Sequence, residues 1–539
     1  MLENVFIPVR EKKDFLKLEE CVKPSHIVIF QEDKDTSVNP TDTSTFTLAK
    51  RKTTGTVAEL SDNLFPNCND IIIEYPYIDN EYLSNFFIYY SQKYKEFPKK
   101  CYRLLLVSTE NETRKLIGYI TLTPSYSKNH LGRIFIEPKY LIKEKAKMIL
   151  APYKVHFNGK EIPLRVFPEL RQEGGGVCVC GHVAAWDILK FFSNRFRQYS
   201  EKTIGDIAKT TQHSYETVIH SGGVTIGQMR NLFLQFGFSP IWHKNNDSNF
   251  FMDEILTYIE SGVPVLGIMK SMRHAVSIVG RGTYSRITGD HGIVSLNTAT
   301  ECAMYNSNFS FVSEENDQNK EIKNTGVLYS TSLVQTIYVN DDNFFPYRAV
   351  PRELSDVDLP YSFESFTSSI IPLYAKIHVG YNNVRTIFEK SVHTFITEYG
   401  WNAVQTAENA DQRIVARMFF TSANTYREYL QMVIENSRAN TKTKSICNLL
   451  LKTEMSKFIW VIETSTFEEF DDGEISGLCA IDSTSSVRDV SPFLFVVGNE
   501  KLTYFNENEM RDVFLTPIFK TDHFKMARFD MNLEEVNPI

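Results

Sequence analysis

The sequence is poor in cysteine, in long apolar runs and in net positive charge. Its 539 residues include 8 cysteines, six of them spaced singly, at positions 21, 68, 101, 302, 447 and 479. That is too few for a disulfide scaffold and is typical of a reducing compartment. No run is long enough to cross a bilayer, and the opening MLENVFIPVREKKDF lacks the apolar core of a secretory signal. We therefore expect a cytoplasmic protein with no membrane partner.

Composition narrows the classes further. With 58 basic and 66 acidic residues the net charge is −8, so the basic excess of nucleic-acid-binding proteins is missing and we expect no nucleic-acid partner. Hydrophobic residues at 42% and charged residues at 23% are typical of a folded chain that buries several cores. At roughly 150 residues per domain, the length predicts about three to four domains.

The chain divides into three stretches of different texture. Residues 1–165 alternate short apolar runs with polar turns and predict a β-rich N-terminal domain. Residues 166–352 mix helix and strand patterns, and residues 353–539 predict a mixed α/β C-terminal domain with a helix near 409–438. The polar stretch 356–369 is the expected boundary. The predicted class is α+β, with strands expected at 26–30, 70–75, 103–107, 116–122, 133–138, 457–464 and 492–498.

One stretch in the middle domain combines features of a nucleophile. The glycine-rich loop Gly174–Gly176 leads into Cys178-Val179-Cys180, and a helix pattern follows. Cys180 is expected at the first helical turn, where unpaired amides and the helix dipole favour a thiolate. The same amides can donate to a developing oxyanion. The helix is predicted from the spacing of apolar residues that would line one of its faces: Ala185, Ile188, Leu189, Phe192 and Phe196.

A thiolate needs a base, and His274 is the best candidate. It opens HAVSIVGRG directly after the apolar run SGVPVLGIMK, so we expect the imidazole at the start of a strand, facing a cleft. An orienting carboxylate is expected from Asp341 or Asp342, which follow the apolar run IYV. A carboxylate on the far ring nitrogen would hold the tautomer and stabilise the imidazolium. We favour Asp341 because it directly ends the strand.

These residues resemble a known family. The sequence CGHVAAW, from Cys180, is similar to the CGxAA helix start of papain-like cysteine peptidases, most closely the bacteriocin-processing branch that cleaves after a double glycine. In that branch a glutamine precedes the cysteine, a GxPV strand leads to HAVxIxG, and a strand ending in ND follows. The matching positions here are Gln172, Gly262–Val265, His274–Gly280 and Asn340-Asp341. The resemblance covers about residues 166–352.

The resemblance implies a papain-like catalytic domain and a bacterial source. It implies Cys180 as nucleophile, His274 as base, Asp341 as orienting residue and Gln172 as oxyanion donor. It requires no cofactor and no metal, and it implies a protein or peptide substrate, with a regulatory protein partner left open. The chain departs from the family in two ways. Gln172 lies eight residues before the cysteine, and 67 residues separate His274 from Asp341. Residues 283–330 are therefore predicted to be an insertion that could cover the cleft.

Other functions remain open at this stage. A papain-like fold can also carry a deamidase or acyltransferase, and a degenerate chain would be an interaction scaffold. Cys178, Cys180 and His182 alternate and could share a face as zinc ligands, but a fourth ligand with finger spacing is missing. We expect His213, His220 and His243 at the surface or in loops.

Overall fold

The computed structural model describes the chain in segments. They are residues 3–21, 56–92, 97–124, 130–171, 180–211, 223–246, 248–287, 309–315, 322–354, 360–405, 412–484, 492–506, 509–515, 519 and 522–539. Helices and strands are interleaved throughout these segments, which confirms the α+β class. The strand predicted at 26–30 lies outside the described residues. None of the described helices has the length and apolar content needed to span a bilayer.

Helices in the described segments pack mainly at the edges and faces of the sheets. In chain order they are α1 (Lys17–Cys21), α2 (Thr56–Leu64), α3 (Asn80–Ile88), α4 (Cys180–Arg195), α5 (Ile204–Thr210), α6 (Ile226–Gln235), α7 (Ser248–Glu260), α8 (Tyr381–Tyr399), α9 (Ala423–Glu435), α10 (Thr441–Leu450) and α11 (Phe467–Asp471). Short 3₁₀ turns occur at Lys12–Leu16, Tyr90–Gln92, Pro138–Tyr140, Ser330–Leu333 and Phe363–Ser365.

The strands in the described segments follow the apolar runs of the sequence. In chain order they are β1 (Glu3–Pro8), β2 (Asp70–Tyr77), β3 (Cys101–Glu110), β4 (Thr113–Leu122), β5 (Leu131–Ile136), β6 (Ala146–Met148), β7 (Ala151–Phe157), β8 (Lys160–Val166), β9 (Glu169–Leu170), β10 (Phe238–Lys244), β11 (Val265–Met269), β12 (His274–Gly282), β13 (Phe309–Glu315), β14 (Ile322–Tyr329), β15 (Thr336–Asn340), β16 (Arg348–Pro351), β17 (Ser368–Tyr374), β18 (Val404–Gln405), β19 (Gln412–Ser422), β20 (Phe458–Ser465), β21 (Glu474–Ile475), β22 (Gly477–Asp482), β23 (Phe493–Val497), β24 (Lys501–Asn506), β25 (Glu509–Phe514), β26 (Met526–Ala527) and β27 (Glu534–Val536).

Three sheets organise these strands. The N-terminal sheet has the order β1-β2-β3-β4-β5-β9. The central sheet has the order β10-β17-β11-β12-β15-β16, with β6 pairing both β12 and β27. The C-terminal sheet has the order β13-β14-β19-β20-β22-β23-β24-β25, with β18 on β19. The pairs β7-β8 and β21-β26 stand apart from them.

The central sheet is covered on its faces by helices and shares its core with its neighbours. All residues of β11 and β12 except Ile268 and His274 are buried, as expected for strands with both faces packed. Helix α4 packs on β12 and β7, while α7 packs on β12 and on β19 of the C-terminal sheet. One apolar cluster runs from Tyr82 to Val536 and includes the fully buried Trp186.

Chain pairing crosses the predicted domain boundaries. Strand β17 follows the polar stretch 356–369 and inserts between β10 and β11, so the expected linker leads into the central sheet. Strand β27 joins β6, which pairs with the end of β12 on the same side as β11. The division at 165/166 and 352/353 into independently folding domains stays a prediction, but no boundary of the central sheet falls at either point.

The structure corrects one local expectation and shows strands within the predicted insertion. The helix predicted near 409–438 begins only at Ala423, because the run QRIVARMFFTS forms the buried strand β19 and Ser422 caps the helix with its side chain. The predicted insertion 283–330 contains β13 and β14, and β14 pairs in parallel with β19 of the C-terminal sheet. The rest of that insertion, 288–308 and 316–321, lies outside the described residues.

Candidate active site

Cys180 is the first residue of α4. The backbone amides at this end of a helix have no partner within the helix, and they create the positive end of its dipole. The side chain is half-buried, and its Sγ donates to the backbone carbonyl of Arg273 at 3.7 Å. The helix is held there by an apolar face that packs on β12. The sulfur therefore lies beside the first-turn amides of α4, where those amides are free to donate to a group bound there.

His274 is the first residue of β12 and lies beside the thiol. Antiparallel pairing sets His274 opposite Met269, so the imidazole stands where both strands of the β11–β12 pair meet the surface. The Cys180 side chain interacts with the imidazole and contributes to raising its pKa. On the other side of the ring, Nε2 lies 2.9 Å from Oδ1 of Asp341. Since the carboxylate takes Nε2, the thiol is left with Nδ1.

Asp341 directly follows β15, and sheet register brings it to the histidine. The pairing of Ser277 with Asn340 sets the end of β15 beside the start of β12. Oδ1 of Asp341 also accepts from the Asn343 amide at 2.9 Å, and Oδ2 accepts from the Tyr361 hydroxyl at 2.6 Å. The carboxylate is therefore held in one orientation by groups on three different segments.

Asp342 lies next to the same imidazole but in a weaker position. Its Oδ1 is 3.8 Å from Nε2 of His274, beyond hydrogen-bond distance. Its Oδ2 is buried and has no hydrogen-bond partner among the described residues. Of the two carboxylates that the sequence leaves in competition, Asp341 is the one with the geometry to orient the ring.

Burial and charge set the protonation of this group. Burial lowers the pKa of His274, but the hydrogen bonds with Asp341 and Cys180 and the Asp341 charge raise it to about 11. Burial raises the pKa of Asp341, but the hydrogen bond and charge of His274 outweigh it and hold that pKa well below its ordinary value. Burial raises the pKa of Asp342, with help from the Asp341 charge. The favoured state is an imidazolium paired with one carboxylate.

Two further carboxyl groups lie close to this pair. Asp187, on α4, accepts from the Leu170 amide at 3.1 Å and from the Ser277 hydroxyl at 3.0 Å. Glu169 is fully buried, and within the described segments neither of its oxygens has a hydrogen-bond partner. The Arg171 guanidinium is 3.9 Å away from it. Burial raises the pKa of each of these two carboxyls well above its ordinary value, so both stay neutral. Asp341 is therefore the charged partner of the imidazolium.

The alternative zinc arrangement has little support from this geometry. His182 is buried on α4, and its Nε2 lies 2.8 Å from the Thr211 hydroxyl. Successive helix residues diverge by about 100°, so Cys180 and His182 point to different sides. Another group of candidate ligand atoms, from His274, Asp341 and Asp342, lies within 4.8 Å. Its closest members are already hydrogen-bonded to one another.

Several predicted residues fall elsewhere. Gln172, the glycine loop 174–176 and Cys178 lie outside the described residues, as do His213 and His220, so the expected oxyanion role of Gln172 stays a prediction. His243 is not in a loop. It lies on the edge strand β10, half-buried, with Nδ1 against the buried carboxylate of Glu254 on α7, so the loop alternative is wrong because the apolar run around it pairs with β17.

Sequence reasoning missed three residues of the site. Tyr361 comes from the polar stretch that looked like a linker, and no local pattern marks it. Asp187 was detectable, because it is an acidic residue on a helix otherwise dominated by apolar and small side chains, two turns after Cys180. Arg273 precedes the histidine and contributes a backbone carbonyl, which side-chain chemistry does not reveal.

Comparison of the chain with protein-family models, with curated proteins and with solved structures finds no match. The site must therefore be interpreted from its own geometry.

Proposed function

We propose that this chain is a papain-like cysteine hydrolase that cleaves an amide bond of a protein or peptide. The observation that carries the proposal is the row Cys180–His274–Asp341. A helix N-terminus lies behind the sulfur, the thiol interacts with the imidazole, and Nε2 of the imidazole is hydrogen-bonded to Asp341. An inert buried cysteine would need none of these features.

In the proposed reaction His274 holds the thiol proton and the Cys180 thiolate attacks the amide carbonyl carbon. The C–O π electrons move to oxygen, and the amide of Cys180 at the helix start donates to that oxyanion. The intermediate collapses, the C–N bond breaks, and the amine leaves with the proton from His274. His274 then takes a proton from water, whose oxygen attacks the thioester. The acid product leaves and the thiol is restored.

Asp341 keeps the ring in place during these transfers. Its hydrogen bond to Nε2 fixes the tautomer that presents Nδ1 to sulfur, and its charge stabilises the imidazolium. Asn343 and Tyr361 hold the carboxylate so that it cannot turn away. Because the pKa of Asp342 is raised to about 7, this carboxyl carries less charge than Asp341 near neutral pH, which limits a second charge that would make the imidazolium a poorer proton donor.

Selective alkylation tests the proposal. The native protein is treated briefly with substoichiometric iodoacetamide, and the adduct is counted by intact mass and mapped by peptide analysis. Four described cysteines are buried, and burial raises the pKa of Cys68 and Cys447 to about 12. One fast adduct at Cys180 is expected, absent in Cys180→Ala and slowed in His274→Ala.

Cys21→Ala is the matched control, because Cys21 is the other half-buried thiol of the described segments. It should leave the fast adduct unchanged. Labelling spread evenly over several cysteines would contradict an activated thiolate. If alkylation identifies an activated thiolate, three product assays then distinguish the candidate activities. Cleavage of a peptide indicates a peptidase, release of ammonia indicates a deamidase, and transfer of the acyl group to an added amine indicates an acyltransferase.

A further inference from the structure

The turn between β11 and β12 carries two cationic residues and lies beside the candidate nucleophile, Cys180. It spans residues 270–273 and is closed by hydrogen bonds from the amides of Met272 and Arg273 to the carbonyls of Met269 and Lys270. The Lys270 amide is tied to the Thr367 hydroxyl at 3.0 Å, next to β17. The backbone of this turn is thus anchored on both neighbouring strands.

Arg273 holds an unusual conformation within this turn. Its φ is 50°, in the left-handed region that side chains with a Cβ rarely adopt. Such conformations persist where the surrounding structure over-determines them, and they cluster at functional sites. Here the conformation directs the Arg273 carbonyl to Sγ of Cys180 at 3.7 Å. The backbone of Arg273 thus contacts the sulfur, and its side chain is exposed beside the same site.

The two cations of this turn are exposed and uncompensated. Lys270 and Arg273 are both exposed, and no carboxylate of the described segments forms an ion pair with either. The carboxylates nearest the sulfur, Asp341 and Asp342, are buried on the far side of the imidazole. The chain as a whole carries a net charge of −8, so two cations without an ion-pair partner give this part of the surface a charge opposite to that of the whole chain.

We propose that Arg273, assisted by Lys270, selects a substrate that carries a carboxylate next to the scissile amide. This inference rests on the proposed function and adds the chemical class of its substrate. A guanidinium presents paired N–H donors that match a carboxylate, and it remains charged at every working pH. The carboxylate can belong to an acidic side chain or to a free chain terminus, since both offer the same chemistry to the guanidinium.

The test compares two alkylating probes of nearly equal size, anionic iodoacetate and neutral iodoacetamide. The ratio of their rates at Cys180 reports the charge that an approaching reagent meets. Arg273→Gln keeps a Cβ, so it leaves the same backbone strain, and it should lower the ratio about two- to fivefold, the size expected for an exposed charge pair. Arg273→Lys should retain most of the ratio, and added salt should lower it in the native protein.

Arg438→Gln is the matched control, because Arg438 is also exposed but lies between α9 and α10. It should leave the ratio unchanged. An unchanged ratio in Arg273→Gln would overturn the anion subsite while leaving the proposed function intact. A Cys180 that reacts with iodoacetamide no faster than the other cysteines would overturn the proposed function, and the ratio can still be measured on a slow thiol by longer incubation.

Peptide substrates then separate the two sources of the carboxylate. One series replaces Asp or Glu beside the scissile bond with Asn or Gln, and another replaces a free carboxyl terminus with an amide. A drop in kcat/KM in one series alone, lost in Arg273→Gln, identifies the source. Equal cleavage throughout both series would contradict the proposal.

Discussion

Replacing each of the two neighbouring aspartates by asparagine should separate their contributions to His274. Asp341→Asn removes the charge that lies 2.9 Å from Nε2, whereas Asp342→Asn alters a group that is 3.8 Å away, beyond hydrogen-bond distance. The two variants are matched in size and burial. The first should disturb the imidazolium more than the second, because it removes both the hydrogen bond and the nearer charge.

The expected size follows from the contact that is lost. A hydrogen bond to a charged group contributes about 1.5–3 kcal/mol, and one pKa unit corresponds to about 1.4 kcal/mol. Asp341→Asn should therefore lower the pKa of His274 from about 11 by roughly one to two units. In pH profiles of amide hydrolysis, the alkaline limb should move down by the same amount, because the leaving amine needs the imidazolium proton.

The assay is a pH titration of histidine ring signals by NMR, with the His274 signal assigned from its absence in His274→Gln. The native signal should keep its imidazolium position through about pH 9, given a pKa of about 11. Asp341→Asn should titrate at lower pH, and Asp342→Asn should stay close to the native curve. A larger shift in Asp342→Asn than in Asp341→Asn would refute the assignment of the orienting carboxylate.

Three further results are expected. Tyr361→Phe removes the hydroxyl that donates to Asp341. This substitution should lower the free energy of unfolding by about 1.5–3 kcal/mol, measured in denaturant titrations. An unchanged free energy would mean that the hydroxyl does not hold a charged carboxylate. In the folded protein Glu169 stays protonated, whereas in the unfolded chain it loses its proton above its ordinary pKa. This difference makes the free energy of unfolding fall as pH rises, by about 1.4 kcal/mol per pH unit. Glu169→Gln should reduce that slope between about pH 6 and 8, and an equal slope in both proteins would contradict the buried neutral carboxyl. Gly280→Ala should destabilise by about 1–3 kcal/mol, because a Cβ there would lie 2.8 Å from a backbone oxygen of β6. Gly227→Ala on α6 should stabilise by up to about 1 kcal/mol, because a Cβ there would lie no nearer than 4.0 Å to its closest neighbour, the Thr225 hydroxyl. Thermal melts of the two variants check both signs.

The parts of the candidate site that could be predicted lie where a local pattern ends. Cys180 begins a helix, His274 begins a strand and Asp341 follows a strand. The repeat of apolar residues and the turn residues that interrupt it are therefore enough to predict where all three lie along the chain. The choice between Asp341 and Asp342 was open in the sequence, since both follow the same strand, and only distances to the ring separate them.

The rest depends on pairing between distant segments. Tyr361 reaches Asp341 because β17 inserts between β10 and β11, and no local pattern encodes that insertion. The run around Arg417 is predicted to be part of a helix, but it forms a strand, because burial on both faces of a sheet yields a continuous apolar run that periodicity alone cannot tell from a buried helix. In the structure Arg417 pairs with Glu260 at the end of α7 and with Glu463 on the neighbouring strand β20, which no spacing rule could indicate.

The insertion of β17 also orders the events of synthesis. Cys180 and His274 leave the ribosome well before Tyr374, the last residue of β17, and 100 residues separate His274 from it. At a rate of about 5–20 residues per second, the growing chain spends roughly 5–20 s with Cys180 and His274 already made but with the edge of β11 unpaired and Tyr361 not yet beside Asp341. The proposed thiol and base are thus translated before β17, so the complete hydrogen-bond network around Asp341 can form only after the central sheet has taken up that strand.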